Sequence, residues 1–142
     1  AYDDLSTFKL YALDVGLLRQ LSELDASVLL LSTPGYMEYK GALAENYVLQ
    51  SLTAQFQASF RYWTSGNKAE VDFLLQYDNH IYPIEVKADQ NVTGKSLIQY
   101  EKLFQPVYRI RYSMLNLKQD GNLINIPLFL ADKTKELLKD KS

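Results

Sequence analysis

Two short runs of alternating apolar and polar residues, Glu70 to Leu75 and Ile81 to Lys87, constrain this chain more than any other feature. A short polar tip that contains Asp78 and Asn79 separates the two runs. Alternation with a period of two is typical of a strand with one buried face, and a polar tip between two such runs is typical of a turn. The pattern therefore predicts an antiparallel β-hairpin.

The register of this hairpin follows from its loop. With a loop of two or four residues, Tyr77 pairs with His80 and, counting back along both strands, Asp72 lies opposite Glu85, whereas an odd loop length would shift the register. Directly opposed β-carbons lie about 4.5–5.5 Å apart, and like charges at that spacing are destabilising. The two acids therefore need a positive partner, which a divalent cation such as Mg²⁺ or the nearby Lys87 could supply.

Side chains alternate between the two faces of a strand, which divides the hairpin into a polar set and an apolar set. The polar face is predicted to carry Glu70, Asp72, Glu85 and Lys87, and the core face to carry Val71, Phe73, Ile84 and Val86. Glu70 lies opposite Lys87 in the same register. The alternative interpretation is therefore a solvated ladder of charges that needs no metal.

An upstream helix carries a third carboxylate on an otherwise apolar stripe. The stripe follows three- and four-residue steps and comprises Ala42, Glu45, Leu49, Leu52 and Phe56. A buried carboxylate needs a cation or hydrogen-bond donors, so we expect Glu45 to point at the hairpin acids if this helix packs beside them. The alternative is an amphipathic helix with an imperfect stripe.

The remaining patterns place strands and helices in alternation. The predicted order is a strand over 8–13, a helix after the N-cap Asp14, a turn at 32–36, a long helix to about 57, a strand over 60–64, the hairpin, a helix over 94–104, a strand over 108–115, a turn at 119–122, a strand over 123–130 and a helix over 133–141. This order predicts an α/β fold with a mixed central sheet, built as a single domain over residues 1–142.

Composition narrows the class of protein. The chain has 142 residues, 47% of them hydrophobic, which is enough for one sizeable core. No apolar run approaches the roughly 20 residues of a membrane-spanning helix, and the absence of cysteine fits a reducing cytoplasm, where we expect the protein.

A net charge of -2 means that a nucleic acid would have to be bound by local cations. The candidate phosphate contacts are Arg61, Lys68, Lys95, Arg109 and Arg111.

The acidic residues and the lysine resemble the PD-(D/E)XK nuclease superfamily, which includes the restriction endonucleases. The matching residues are Glu45 in a helix, Asp72 on one strand, and Glu85 with Lys87 on the next. The resemblance implies a restriction-endonuclease-like fold in which Asp72, Glu85 and the carbonyl of Val86 hold Mg²⁺ or Mn²⁺, with Glu45 completing the site. It further implies phosphodiester hydrolysis with Lys87 orienting the attacking water. Gln99 and Tyr100 of the following helix fit either an accessory polar role or, for Tyr100, packing in the core.

Nearly the whole chain resembles, more closely, an uncharacterised domain carried at the C-terminal end of many prokaryotic AAA+-type ATPases. The stretches that carry the resemblance are residues 8–11, 14–18, 41–48, 70–73 and 84–88. It implies that the chain is the C-terminal piece of a longer ATPase whose N-terminal domain is its partner. The sequence has no GxxxxGK[ST] phosphate loop, so ATP would bind elsewhere in that protein.

Two functions remain open at this level. The first is a metal-dependent nuclease domain that acts on DNA, which the opposed acids favour. The second is a nuclease-shaped module whose site is idle and which serves protein interaction or regulation of the ATPase. The charge balance favours the second, because Arg61 to Lys102 contains five basic against six acidic residues.

Overall fold

Four α-helices and six β-strands make up the computed structural model of the chain, which describes residues 8–23, 34–66, 69–89 and 94–139. In chain order they are α1 (Val15–Leu21), α2 (Pro34–Phe56), β1 (Arg61–Thr64), β2 (Glu70–Tyr77), β3 (His80–Val86), α3 (Lys95–Phe104), β4 (Arg109–Ser113), β5 (Lys118–Asp120), β6 (Leu123–Pro127) and α4 (Thr134–Lys139), with a 3₁₀ helix (Leu128–Lys133) before α4. No helix within these ranges is long and apolar enough to cross a lipid bilayer.

The six strands form one mixed sheet in the order β1-β2-β3-β4-β6-β5. β1, β2 and β3 pair antiparallel, β3, β4 and β6 pair parallel, and β5 pairs antiparallel with β6. The parallel pairing of β3 with β4 requires a crossover, which α3 supplies. The predicted α/β fold with a mixed central sheet is confirmed.

The hairpin has the predicted register. Tyr77 pairs with His80, and the pairing runs back to Phe73 and Ile84. Asp78 and Asn79 occupy the loop with φ values of 48° and 60°, the left-handed geometry that two-residue hairpin loops favour. The ladder between the two strands ends at Phe73 and Ile84, so the predicted direct pairing of Asp72 with Glu85, one position further along, is not formed.

A β-bulge in β2 changes which face its first residues occupy. Arg61 of β1 pairs with Leu74, whereas Trp63 pairs with Val71, so β2 has one residue more than β1 between these pairs. Val71 consequently packs with Leu97 of α3, while Phe73 packs in the main core. The prediction that Val71 and Phe73 share a face was wrong, because alternation holds only where the ladder has no bulge.

The main core lies between α2 and the sheet. Val48 and Leu52 of α2 pack in one cluster with Phe73 and Ile84 of the hairpin and Tyr112 of β4. The predicted apolar stripe of α2 is confirmed for Leu49, Leu52 and Phe56, whereas Ala42 is exposed. A smaller cluster on the other side joins α3 to β2 through Val71, Leu97 and Tyr100.

The chain departs from the predicted elements in three places, one of which is the end of the strand predicted over 123–130, where residues 128–130 belong to the 3₁₀ helix. Residues 8–12 form no strand and lie along α2, where the backbone N–H of Ala12 donates to Asn46 Oδ1 at 2.8 Å. Asp14 caps α1 as predicted, since its carboxylate accepts from the Leu17 N–H at 2.8 Å. Strand β5 was missed, because Lys118–Asp120 is fully exposed and carries no apolar alternation.

Two other predictions fall at the limits of the described residues. The turn at 32–36 cannot be compared over residues 32 and 33, which lie outside the described ranges, and α2 already begins at Pro34. The predicted terminal helix is confirmed over Thr134–Lys139, and its last predicted residues lie outside the description.

Removing side-chain volume from this core should destabilise the protein in proportion to burial. Leu52→Ala empties a fully buried position against the sheet and should lower the free energy of unfolding by about 2–5 kcal/mol. Leu103→Ala makes the same change on an exposed position of α3 and should have an effect below about 0.5 kcal/mol. Urea denaturation of both variants measures the difference, and equal losses would contradict this account of the core.

Candidate functional site

The four residues predicted to form a site lie on three neighbouring elements. Glu45 belongs to α2, Asp72 to β2 and Glu85 to β3, and Lys87 directly follows β3. Asp72 lies within the stretch that contains the bulge, where β2 parts from β3. The parting of the strands leaves room for side chains between them.

The Asp72 carboxylate fills part of that space. Its Oδ2 accepts a hydrogen bond of 2.7 Å from the backbone N–H of Val86, so a side chain continues the hairpin contact where backbone pairing ends. The N–H and C=O of one strand residue point to the same neighbouring strand, so the Val86 carbonyl also faces the β2 side. The Asp72 carboxylate and the Val86 carbonyl therefore lie on the same side of β3.

Glu85 is one of the few charged residues that the fold buries, with 2% of its surface exposed. Its Oε1 lies 3.3 Å from Lys87 Nζ, and its Oε2 lies 3.5 Å from Arg111 Nε on β4. Glu85 and Arg111 are register partners, which places them side by side. Within the described ranges Oε2 and Arg111 Nε form an ion pair with each other but meet no hydrogen-bond partner, so the contact between them is purely electrostatic.

Glu45 influences Asp72 through charge. Burial raises the pKa of Asp72, the negative charge of Glu45 raises it further, and the result is a pKa of about 7 despite the opposing effects of the Val86 N–H, Lys9 and Lys87. Glu45 itself accepts a hydrogen bond of 3.3 Å from the hydroxyl of Tyr11. The α2 glutamate therefore lies close enough to Asp72 to resist its ionisation, as the stripe predicted.

Two residues of the site escaped the sequence interpretation. Lys9 Nζ forms an ion pair with Glu70 and lies 3.8 Å from Asp72 Oδ1, and Tyr11 contacts Glu45. Burial lowers the pKa of Lys9, but its hydrogen bond to Glu70 and the charges of Asp72 and Glu45 outweigh this, so its pKa is raised and the ammonium is retained. No spacing rule links these residues to the acids, because about 60 positions separate Lys9 from Glu70 and 34 separate Tyr11 from Glu45.

The predicted charge ladder is rearranged accordingly. Glu70 pairs with Lys9 rather than with Lys87, and Lys87 pairs with Glu85 on its own strand. The backbone N–H of Lys87 donates to the Tyr112 carbonyl on β4, so the chain at Lys87 follows β4 and leaves β2. Direct opposition of Glu70 and Lys87 was therefore a wrong prediction, for the same reason that the ladder ends early.

The other candidate residues divide into structural and exposed groups. Arg109 forms an ion pair with Glu101 at 3.1 Å and donates hydrogen bonds to Asn122. Arg111 is buried against Glu85. Both arginines therefore make structural contacts. Arg61 and Lys95 are exposed, and Lys68 lies outside the described residues. Tyr100 packs in the α3 cluster against Trp63, and Gln99 donates to Ser65 Oγ at 3.1 Å, so neither points to an accessory role.

The site has oxygen donors suited to a hard cation. Asp72 and Glu85 supply carboxylates and Val86 supplies a carbonyl, which is the ligand chemistry that Mg²⁺ and Mn²⁺ take. Glu85 Oε2 is buried away from water, and its partner in the described residues is Arg111 Nε at 3.5 Å. Across residues 8–23, 34–66, 69–89 and 94–139, however, no three His, Asp or Glu side chains are grouped as a metal site.

A comparison with family models decides the classification. A model described as a domain of unknown function, DUF4143, matches residues 40–129. The chain belongs to the DUF4143 family. Domains of this family are found in AAA-ATPase-associated proteins. Neither the curated proteins nor the solved structures include a match to the chain. Glu45, Asp72, Glu85 and Lys87 all fall inside the DUF4143 match, whereas Lys9 and Tyr11 precede it.

The raised pKa of Asp72 should make stability depend on pH. Its carboxyl titrates near 3.8 when unfolded and at about 7 when folded, so folding favours the protonated form and stability is lost as the pH rises from about 4 to 7. Between pH 5 and pH 8 this loss should amount to about 2–3 kcal/mol, and Asp72→Asn, which keeps an oxygen acceptor for the Val86 N–H, should not show it. Urea denaturation at both pH values compares the two proteins; parallel pH profiles would contradict the burial of Asp72.

The position of the Arg111 guanidinium should depend on Gly94, which directly precedes α3. Gly94 has a φ of +53°, and a β-carbon there would overlap the Arg111 guanidinium, which would be driven away from buried Glu85. Gly94→Ala should therefore lower the free energy of unfolding by about 2 kcal/mol or more beyond Gly121→Ala, which has a similar φ of +57° but open space around it. Chemical denaturation of the two variants isolates the contact, and equal losses would show that only backbone conformation matters.

Proposed function

We propose that this DUF4143 domain is a divalent-metal-dependent phosphodiesterase of the nuclease type that acts on DNA. The observation that carries the proposal is the junction where β2 and β3 part. There Asp72 is bonded to the backbone of Val86, while the residues on either side of Val86, Glu85 and Lys87, form an ion pair. The order of elements, with Glu45 on a preceding helix and α3 following, agrees with the resemblance to PD-(D/E)XK nucleases.

The energetic argument is that these acids are costly to the fold. Glu85 is buried with an oxygen that lacks a hydrogen bond, and Asp72 is buried enough for its pKa to rise to about 7. Buried polar groups without partners and strongly shifted carboxylates are concentrated at functional sites. A structural role alone would be served better by apolar side chains of similar size.

The chain would hold the metal with residues that the resemblance and the geometry share. Asp72, Glu85 and the Val86 carbonyl would bind Mg²⁺ or Mn²⁺, and Glu45 would complete the site. When bound, such an ion supplies a water of lowered pKa and neutralises charge on the phosphoryl oxygens. Because ligands bind in their deprotonated form, the raised pKa of Asp72 makes metal affinity increase as the pH rises through about 7.

Lys87 has the position required of a catalytic cation. Its side chain is partly exposed, with 39% of its surface accessible, yet its ammonium remains 3.3 Å from Glu85. From there it can orient the attacking water or stabilise the negative charge of the pentacoordinate transition state. The exposed cations Arg61 and Lys95 would contact the phosphate backbone.

One observation favours the second candidate function, an idle module for protein interaction or regulation of an attached ATPase. Lys9, Lys87 and Arg111 already lie beside the acids, so the site is neutralised without a metal. A regulatory module needs no more than this arrangement to keep its fold. Only the nuclease function requires a divalent ion and Lys87 for activity.

Nicking of supercoiled plasmid in Mn²⁺ tests the proposal. The parent protein should nick DNA only with Mn²⁺ or Mg²⁺ present, and Lys87→Ala and Asp72→Asn should each lower the rate by about 100-fold or more. Lys133→Ala, which removes an exposed lysine of the 3₁₀ helix, should leave the rate unchanged. Thermal unfolding with millimolar Mn²⁺ should show stabilisation of the parent and none of Asp72→Asn.

The opposite results identify the idle module. Absence of nicking together with absence of Mn²⁺ stabilisation would remove the nuclease proposal. Nicking that persists in Lys87→Ala would indicate a contaminating enzyme and would equally count against the site.

A further inference from the structure

A short segment before α1 covers part of the site and is not used by the proposed chemistry. Within residues 8–12, Lys9 pairs with Glu70 and approaches Asp72 Oδ1 to 3.8 Å, and Tyr11 donates to Glu45 at 3.3 Å. Two side chains of one segment therefore engage three of the acids that surround the junction of β2 and β3. This segment lies outside the residues that match DUF4143.

The ammonium of Lys9 and a divalent cation would satisfy the same carboxylates. Asp72 Oδ2 is taken by the Val86 N–H, which leaves Oδ1 as the oxygen nearest to Lys9 and the one available to a metal. Two positive charges at this spacing repel each other strongly in a partly buried site.

The segment is held in a way that allows it to leave. Its backbone contact is the 2.8 Å hydrogen bond from the Ala12 N–H to Asn46, and its main apolar contact is the Tyr11 ring, 5.5 Å from that of Phe73. Its other large apolar side chains, Phe8 and Leu10, are 73% and 85% exposed. Release would therefore expose the Tyr11 ring and the part of Phe73 that it covers, and would break the contact of Lys9 with the Tyr62 ring at 5.5 Å, while Phe8 and Leu10 are already in water.

We propose that Lys9 is an internal counter-ion of the site and that residues 8–12 are an autoinhibitory segment, which a divalent cation must displace in order to bind. The binding of a divalent cation at this site is part of the proposed function above, on which this inference rests. In this arrangement Lys9 contacts Glu70 and Asp72, and Tyr11 contacts Glu45. Displacement of the segment leaves these carboxylates available to converge.

Mn²⁺ binding, followed by the electron paramagnetic resonance signal of the unbound ion, tests the proposal at pH 8. Lys9→Met removes the charge at nearly unchanged length and should bind Mn²⁺ at least about tenfold more tightly than the parent. Lys9→Arg keeps the charge and should retain the parent affinity. Lys133→Met is the matched control for removing a lysine charge elsewhere and should also retain it.

Hydrogen–deuterium exchange provides a second readout on the parent protein. Saturating Mg²⁺ should speed exchange of the Ala12 N–H, because its hydrogen bond to Asn46 breaks when the segment leaves α2. Exchange that becomes slower with Mg²⁺ would overturn the proposal, because it would mean that the segment closes over the ion.

The outcomes separate this proposal from the proposed function. If the parent binds Mn²⁺ and Lys9→Met binds it equally or more weakly, the autoinhibitory segment is wrong and the metal site stands. If neither protein binds Mn²⁺ at millimolar concentration, the metal-dependent function fails and the segment has nothing to compete with. Binding by Lys9→Met but not by the parent supports both.

Discussion

The hydrogen bond from the Val86 N–H to the Asp72 carboxylate is the constraint on which the rest of the site depends. It lies where backbone pairing between β2 and β3 stops, so a side chain of one strand satisfies the backbone of the other. β2 can then bulge against β1, and β3 can turn to pair with β4. The acids and the lysine gather at this junction because two strands diverge there.

Charge balance determines what such a junction can do. Glu85 lies between Lys87 and Arg111, and Asp72 lies near Lys9, so the fold tolerates buried acids by giving each a cation. The contact of Glu85 Oε2 with Arg111 Nε is an ion pair without a hydrogen bond within the described ranges.

The DUF4143 match covers α2 from residue 40 onward, the hairpin and α3, but not the segment that contains Lys9. The matched part holds every residue that would bind a metal or act on a phosphodiester. The preceding segment holds the residues that would control access to it.

The sequence by itself determined the hairpin, its register from Tyr77 and His80 to Phe73 and Ile84, and the α/β class, because alternation and turn chemistry are local. Only the tertiary structure decided that β2 bulges, so that Val71 leaves the face of Phe73, because a bulge depends on the neighbouring strand. The tertiary structure also decided the ion pairs. Lys9 reaches the acids from a distant part of the chain, and no periodicity encodes a contact of that range.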